Sequence, residues 1–234
     1  MTIAFVAAWG AGAYGTGGTP PSANTVVNAG TAISAGAFLW LAVTGATNAS
    51  YGVSDSKSNT WQQAKLLTNG SGGNYTTALY YAENVAAAAS GALTVTCTGT
   101  GDNSDGLMLV LGCATGIKTS SSIDQTNGAS GVFPPGNSQT SGNITPSVAG
   151  CLVVCAYEDS FGYAGTPTST GFTLAAEDGY ANATFSQYQI QTTVTTVAGS
   201  GNGRGGYCNS LIASFKPASG AGPAPNSLFF GTVA

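Results

Sequence analysis

The 234-residue chain is 43% hydrophobic but only 6% charged, with 5 Lys+Arg against 9 Asp+Glu, a net charge of −4 and no histidine. Its solubility rests on Ser, Thr, Asn, Gln and Gly, as in an extracellular or assembled protein, and without a basic cluster nucleic acid is excluded as a partner. Lack of imidazole excludes histidine triads and histidine zinc sites, and apolar runs such as Ala37 to Val43 fall short of the roughly 20 residues of a spanning helix, so no membrane is expected.

In chain order, apolar or alternating runs separated by Gly, Asn, Ser, Thr and Pro clusters predict strands. They cover Ile3 to Trp9, Asn24 to Asn28, Phe38 to Thr44, Thr60 to Leu67, Tyr75 to Glu83 and Ala92 to Thr98. Further strands cover Leu107 to Ala114, Cys151 to Glu158, Thr173 to Glu177, Thr184 to Val197 and Tyr207 to Phe215. The N-terminal run has no positive charge before it, the first lysine being Lys57, so it reads as a first strand and not as a signal peptide. Leu93, Val95 and Cys97 alternate with Thr94, Thr96 and Thr98, which puts one face in a core and one in water. Phe38 to Val43 and Leu107 to Leu111 are apolar on both faces and belong in central or covered strands. The Ser/Asn/Gly-rich segment Lys118 to Ser147, with Pro134 and Pro135, is expected to be a long connection. Gly101 to Gly106 and Gly199 to Gly206 fit hairpins better than a calcium or phosphate loop.

These features predict an all-β, antiparallel β-sandwich as a single domain over residues 1–216. Residues 217–234 form a Pro/Gly linker ending in Leu228, Phe229 and Phe230, an apolar tip expected to dock on a neighbour.

The cysteines Cys97, Cys113, Cys151, Cys155 and Cys208 are too scattered for a small disulfide scaffold. Cys151 and Cys155 lie about 13 Å apart along one strand face and do not bridge each other. The five read as buried thiols, or as partners in a disulfide across the sandwich or to another subunit.

Glu158-Asp159 and Glu177-Asp178 end predicted strands. They are expected to cap turns and face solvent; the sharper alternatives are oxygen ligands for calcium or a glycosidase acid–base pair. No other cofactor is expected. No lysine stands in a motif with a serine, and nucleophilic catalysis has no support, so an enzyme is not expected. Tyr14, Tyr51, Trp61, Tyr163 and Tyr180 lie near turns and are candidates for a glycan-stacking or protein-contact surface, although Trp61 sits inside a predicted strand.

Three runs stand in a recognisable order: Asp55-Ser-Lys-Ser-Asn-Thr-Trp61, Thr77-Ala-Leu-Tyr-Tyr-Ala-Glu-Asn-Val85 and Ala92-Leu-Thr-Val-Thr96. Gly150-Cys-Leu-Val-Val154, Gly171-Phe-Thr-Leu174 and Leu211-Ile-Ala-Ser-Phe-Lys-Pro217 continue the pattern. The series resembles a module that recurs in bacteriophage and bacterial surface sequences, with Ser58 where a glycine is common. The resemblance covers roughly Asn24 to Pro217 and implies a jelly-roll-like sandwich without catalytic residues. The expectation is a bacteriophage virion structural protein, a capsid decoration, neck or tail/fibre component. It would be a homo-oligomer located in the virion, with other virion subunits as partners. The alternative is a secreted or cell-surface adhesin, or a carbohydrate-binding module, taking a glycan.

Overall fold

The computed structural model describes residues 2–13, 21–46, 50–68, 75–99, 106–133, 138–159, 169–178, 184–202 and 206–219. It is all-β and antiparallel, as the sequence predicts, and no helix occurs among the described residues. The first half of the chain supplies β1 (Ala4–Ala13), β2 (Ala23–Val27), β3 (Ala37–Ala46), β4 (Gly52–Asp55), β5 (Trp61–Thr68), β6 (Tyr75–Val85), β7 (Thr94–Thr98) and β8 (Leu107–Thr115). The second half supplies β9 (Ile123–Phe133), β10 (Ser138–Thr140), β11 (Cys151–Asp159), β12 (Thr173–Glu177), β13 (Thr184–Gln191), β14 (Ser200–Asn202) and β15 (Gly206–Phe215).

Two five-stranded sheets, β1-β8-β3-β6-β5 and β12-β13-β11-β15-β9, face each other. The three-stranded sheet β2-β7-β4 covers the outside of the first, and the two-stranded sheet β10-β14 covers the outside of the second. Side chains of a strand alternate between faces, so β3 sends Leu39, Leu41 and Val43 into the outer core and Phe38, Trp40 and Ala42 into the central one. Leu152, Val154 and Ala156 of β11 likewise enter the central core, while Val153, Cys155 and Tyr157 enter the far outer one. That double burial is why these strands read as continuous apolar runs. In β7, Leu93 just before the strand, Val95 and Cys97 are buried as the alternation predicts.

The halves are two copies of one arrangement. With β1, β2, β3, β5, β6, β7 and β8 matched to β9, β10, β11, β12, β13, β14 and β15, every strand pairing of the second half repeats one of the first. Two bulges repeat with them. Val6 is passed over in β1 as Asp124 is in β9, and Ala64 in β5 as Ala175 is in β12. Gly36 before β3 (φ 78°) and Gly150 before β11 (φ 81°) adopt the same left-handed turn and donate to Val85 O and Gln191 O respectively. Across the centre, β1 lies against β12 and β9 against β5, the reciprocal exchange of an isologous two-fold contact. The β-sandwich expected from the sequence is present as the two facing five-stranded sheets, with a smaller sheet on the outside of each.

Three local expectations are corrected. The segment Lys118 to Ser147, expected as a connection, contains β9, an eleven-residue edge strand paired along β15. The third sheet gains β4, which pairs with β7. The hairpin expected around Gly199 to Gly206 is not made between β14 and β15, because β14 pairs with β10 and β15 with β11 and β9; residues 203–205 lie outside the described residues. Gly101 to Asp105, and the tail from Gly220 with Leu228, Phe229 and Phe230, lie outside the described residues.

Candidate functional site

Two of the three runs in the first half, Asp55 to Trp61 and Thr77 to Val85, meet at one end of its five-stranded sheet. Between β4 and β5 the chain turns sharply around Asp55. Its Oδ1 accepts the backbone N–H groups of Lys57 (2.8 Å) and Asn59 (3.2 Å), and its Oδ2 accepts Asn59 Nδ2 (3.0 Å) and Trp61 Nε1 (2.7 Å). Ser58 carries φ 58° at the tip, a left-handed conformation that glycine adopts at less cost than serine. Asn59 Oδ1 accepts the Ala86 N–H at 2.8 Å, tying the turn to the end of β6.

β6 contributes Tyr80, Tyr81, Glu83 and Asn84. Tyr80 Oη accepts Tyr51 N–H (3.1 Å) and lies 3.0 Å from Tyr51 O, and Tyr81 Oη donates to Gln62 Oε1 (3.1 Å). Burial raises both phenol pKa values; the Glu83 charge adds to the effect at Tyr81. Glu83 in turn accepts the N–H groups of Ser122 (2.5 Å) and Ser121 (3.2 Å), which holds the connection from the first half to the second against β6.

These segments enclose an open cleft of about 330 Å³. Ser58, Asn59 and Thr60 of the turn, Gln62 of β5, Glu83 and Asn84 of β6, and Thr119 of the connection line it. The lining is made of hydroxyls, amides and one carboxylate. The two runs flanking it are legible as motifs, but their meeting is not, because it depends on the pairing of β5 with β6 and on the Asn59–Ala86 hydrogen bond.

The residues singled out from sequence fall elsewhere. Trp61 is half-buried, packs on the outer core of the first half and donates its indole N–H to Asp55, so it is an anchor of the turn and not a free platform. Tyr14, Tyr163 and Tyr180 lie outside the described residues. Contrary to the expectation of solvent-facing caps, Glu158 and Asp178 are buried, at 2% and 7% exposure, and Asp178 accepts the Thr184 N–H at 2.9 Å. Among the described residues no three Asp, Glu, Cys or His side chains gather as a metal site would require.

All five cysteines are buried and none is bonded to another. Burial pushes the thiols of Cys97, Cys113 and Cys155 up to about 12 and that of Cys151 to about 11. Thiols in that state are small apolar fillers.

Asp124, in the bulge of β9, accepts Ser147 Oγ (2.6 Å) and N–H (2.7 Å), and the Lys216 ammonium lies 3.4 Å away. Burial opposes its charge, but the Ser147 hydrogen bonds and Lys216 outweigh that and hold it below the usual carboxylate range.

No family model, no curated protein and no solved structure matches the chain.

Proposed function

We propose that the chain is a structural component of a bacteriophage virion, a capsid decoration, neck or tail/fibre part, that acts in many copies through protein–protein contacts. The observation that carries this reading is the use to which the motif residues are put. Asp55, Asn59, Trp61, Tyr80 and Tyr81, which bear the resemblance to virion and surface modules, all tie turns and strands together. They serve architecture, as a particle protein requires. Low charge supports the same reading, since neighbours packed side by side avoid desolvating ions. Burying both central sheets on both faces supports it too, because it leaves a rigid body whose exposed edges and loops are free to meet neighbours.

Immunogold labelling of gradient-purified particles tests the reading. Regular labelling at one position on the virion is the expected result. Labelling confined to the host cell envelope overturns it and leaves the adhesin reading, which one observation favours: the polar cleft beside Glu83.

A further inference from the structure

The cleft is where the first half departs from the second. β3 pairs with β6 at Leu39↔Ala82 and then at Ala37↔Val85, so both Glu83 and Asn84 stand opposite Phe38. The equivalent strands run unbroken through Val153↔Gln189, Leu152↔Ile190 and Cys151↔Gln191. The additional residue in β6 is a bulge, a feature that re-aims the side chains around it. It turns Glu83 towards the connection and the cleft, where the second half has Ile190.

Backbone conformation marks the same place. Among the described residues, the non-glycine residues with positive φ are Ser58 (58°), Asn84 (51°) and Ser121 (51°). Ser58 and Asn84 line the cleft, and Ser121 donates to its carboxylate. Left-handed backbone at residues other than glycine persists where the surroundings over-determine it, and it gathers at ligand clamps.

We infer that this cleft binds one neutral sugar residue of a glycan. The hydroxyls of Ser58, Thr60 and Thr119 and the amides of Gln62 and Asn84 offer both donors and acceptors. Each Glu83 oxygen has lone-pair capacity beyond the backbone N–H it already accepts, and adjacent sugar hydroxyls donate to such a carboxylate. An anionic ligand meets this charge with no cation in the lining, and an apolar ligand meets no apolar wall. A divalent ion finds one carboxylate in the lining, and no group of three Asp, Glu, Cys or His side chains gathers among the described residues. At about 330 Å³ the volume lies at the lower end of the roughly 300–1,000 Å³ range of ligand sites, the scale of a single ring. Without a stacking aromatic each site is weak, and copies displayed side by side supply the avidity. The site stands independently of the virion reading, since it serves equally on a cell surface.

The test is a titration of the ¹⁵N-labelled full chain with the methyl glycosides of glucose, galactose, mannose and N-acetylglucosamine, followed by amide shifts. At least one glycoside is expected to shift the amides of 58–62, 83–84 and 119–122, with a millimolar Kd. Thr119 is exposed, so Thr119→Arg extends a long non-aromatic side chain into the cleft towards Glu83 from a surface position and leaves the rest of the spectrum in place. It is expected to weaken binding about tenfold or more, and Glu83→Gln to weaken it less. The inference is overturned by shifts absent with every glycoside, by shifts away from the cleft, by shifts that survive Thr119→Arg, or by the same shifts produced with calcium chloride alone.

Discussion

The two halves share strand order, pairing and bulges, yet equivalent positions have been filled by different chemistry. Trp40 in β3 pairs with Gly112 of β8; at the equivalent place in the second half, Val154 of β11 pairs with Ala213 of β15. A large residue sits on the smallest, and a medium residue on a small one. Trp40, Val154 and Ala213 all fill the central core, but the pairs differ in total volume, so their neighbours make up the difference. At the first bulge the contrast is one of charge: Val6 packs on the outer core of its half, whereas Asp124 is held by Ser147 and Lys216. The fold therefore tolerates exchange of residues where strand pairing and bulge geometry are kept. What it does not duplicate, such as the bulge at Glu83 and Asn84, stands out as specific to one half.

The largest effect is expected at Trp40. Its side chain is fully buried and its Nε1 donates to Ser186 Oγ of the other half at 3.1 Å. Trp40→Ala is expected to cost about 3–5 kcal/mol, and Val154→Ala about 2 kcal/mol, measured by urea denaturation. The comparison is sharpened by transplanting one pair into the other half. A Cβ on Gly112 collides with the Trp40 ring, so Gly112→Ala alone destabilises. In a Trp40→Val background the same change fills part of the cavity and is expected to be neutral or stabilising. The coupling between the two substitutions should then reach about 1–3 kcal/mol, and additive costs would break the equivalence of the pairs.

A smaller and pH-dependent effect separates Val6 from Asp124. Because the folded state holds Asp124 below its unfolded value, its stabilisation is complete above that unfolded value, about pH 4, and is lost as pH falls through the lower folded one. Asp124→Asn is therefore expected to lower the melting temperature at neutral pH and to flatten its decline in acid. Val6→Ala should lower it equally at every pH. Parallel acid profiles for wild type and Asp124→Asn would mean that the bulge carboxylate is not a source of this dependence.

Much of the layer structure was legible, and the reasons are local. Alternation through Leu93, Val95 and Cys97 reports a half-exposed sheet, and unbroken apolar runs at Phe38 to Val43 report a sheet covered on both sides. β9 was not legible, because its residues Ile-Asp-Gln-Thr-Asn-Gly-Ala-Ser-Gly-Val-Phe have the composition of a loop and owe their strand conformation to the hydrogen bonds of β15. The duplication was hidden because strand pairing runs through the backbone and leaves side chains free to differ, so Trp40 with Gly112 and Val154 with Ala213 occupy equivalent places without sharing a residue. The cleft escaped because it is assembled from a turn, a bulge and a connection, none of which announces a periodicity. Burial of Glu158 and Asp178 was likewise invisible, since an acidic pair at a strand end reads as a turn cap until the neighbouring sheet is in place.

The smallest expected effect is a null one, and here the halves should agree. Cys97 and Cys113 belong to the first half, Cys151, Cys155 and Cys208 to the second, and all five are buried. A thiol displaced to about 12 is thiolate in only about one molecule in ten thousand at pH 8, and only the thiolate attacks a disulfide. Burial also denies Ellman's reagent the approach it needs. The folded chain is therefore expected to release no thionitrobenzoate, while the chain in guanidinium releases five equivalents. A non-reducing gel of particles or of the purified chain should show a monomer. Fast reaction of one thiol would identify a half that opens locally, and peptide mapping of the labelled residue would say which. Covalent oligomers on the gel would mean that one of these thiols reaches the surface in the assembly, returning the cysteines from packing to linkage between neighbours.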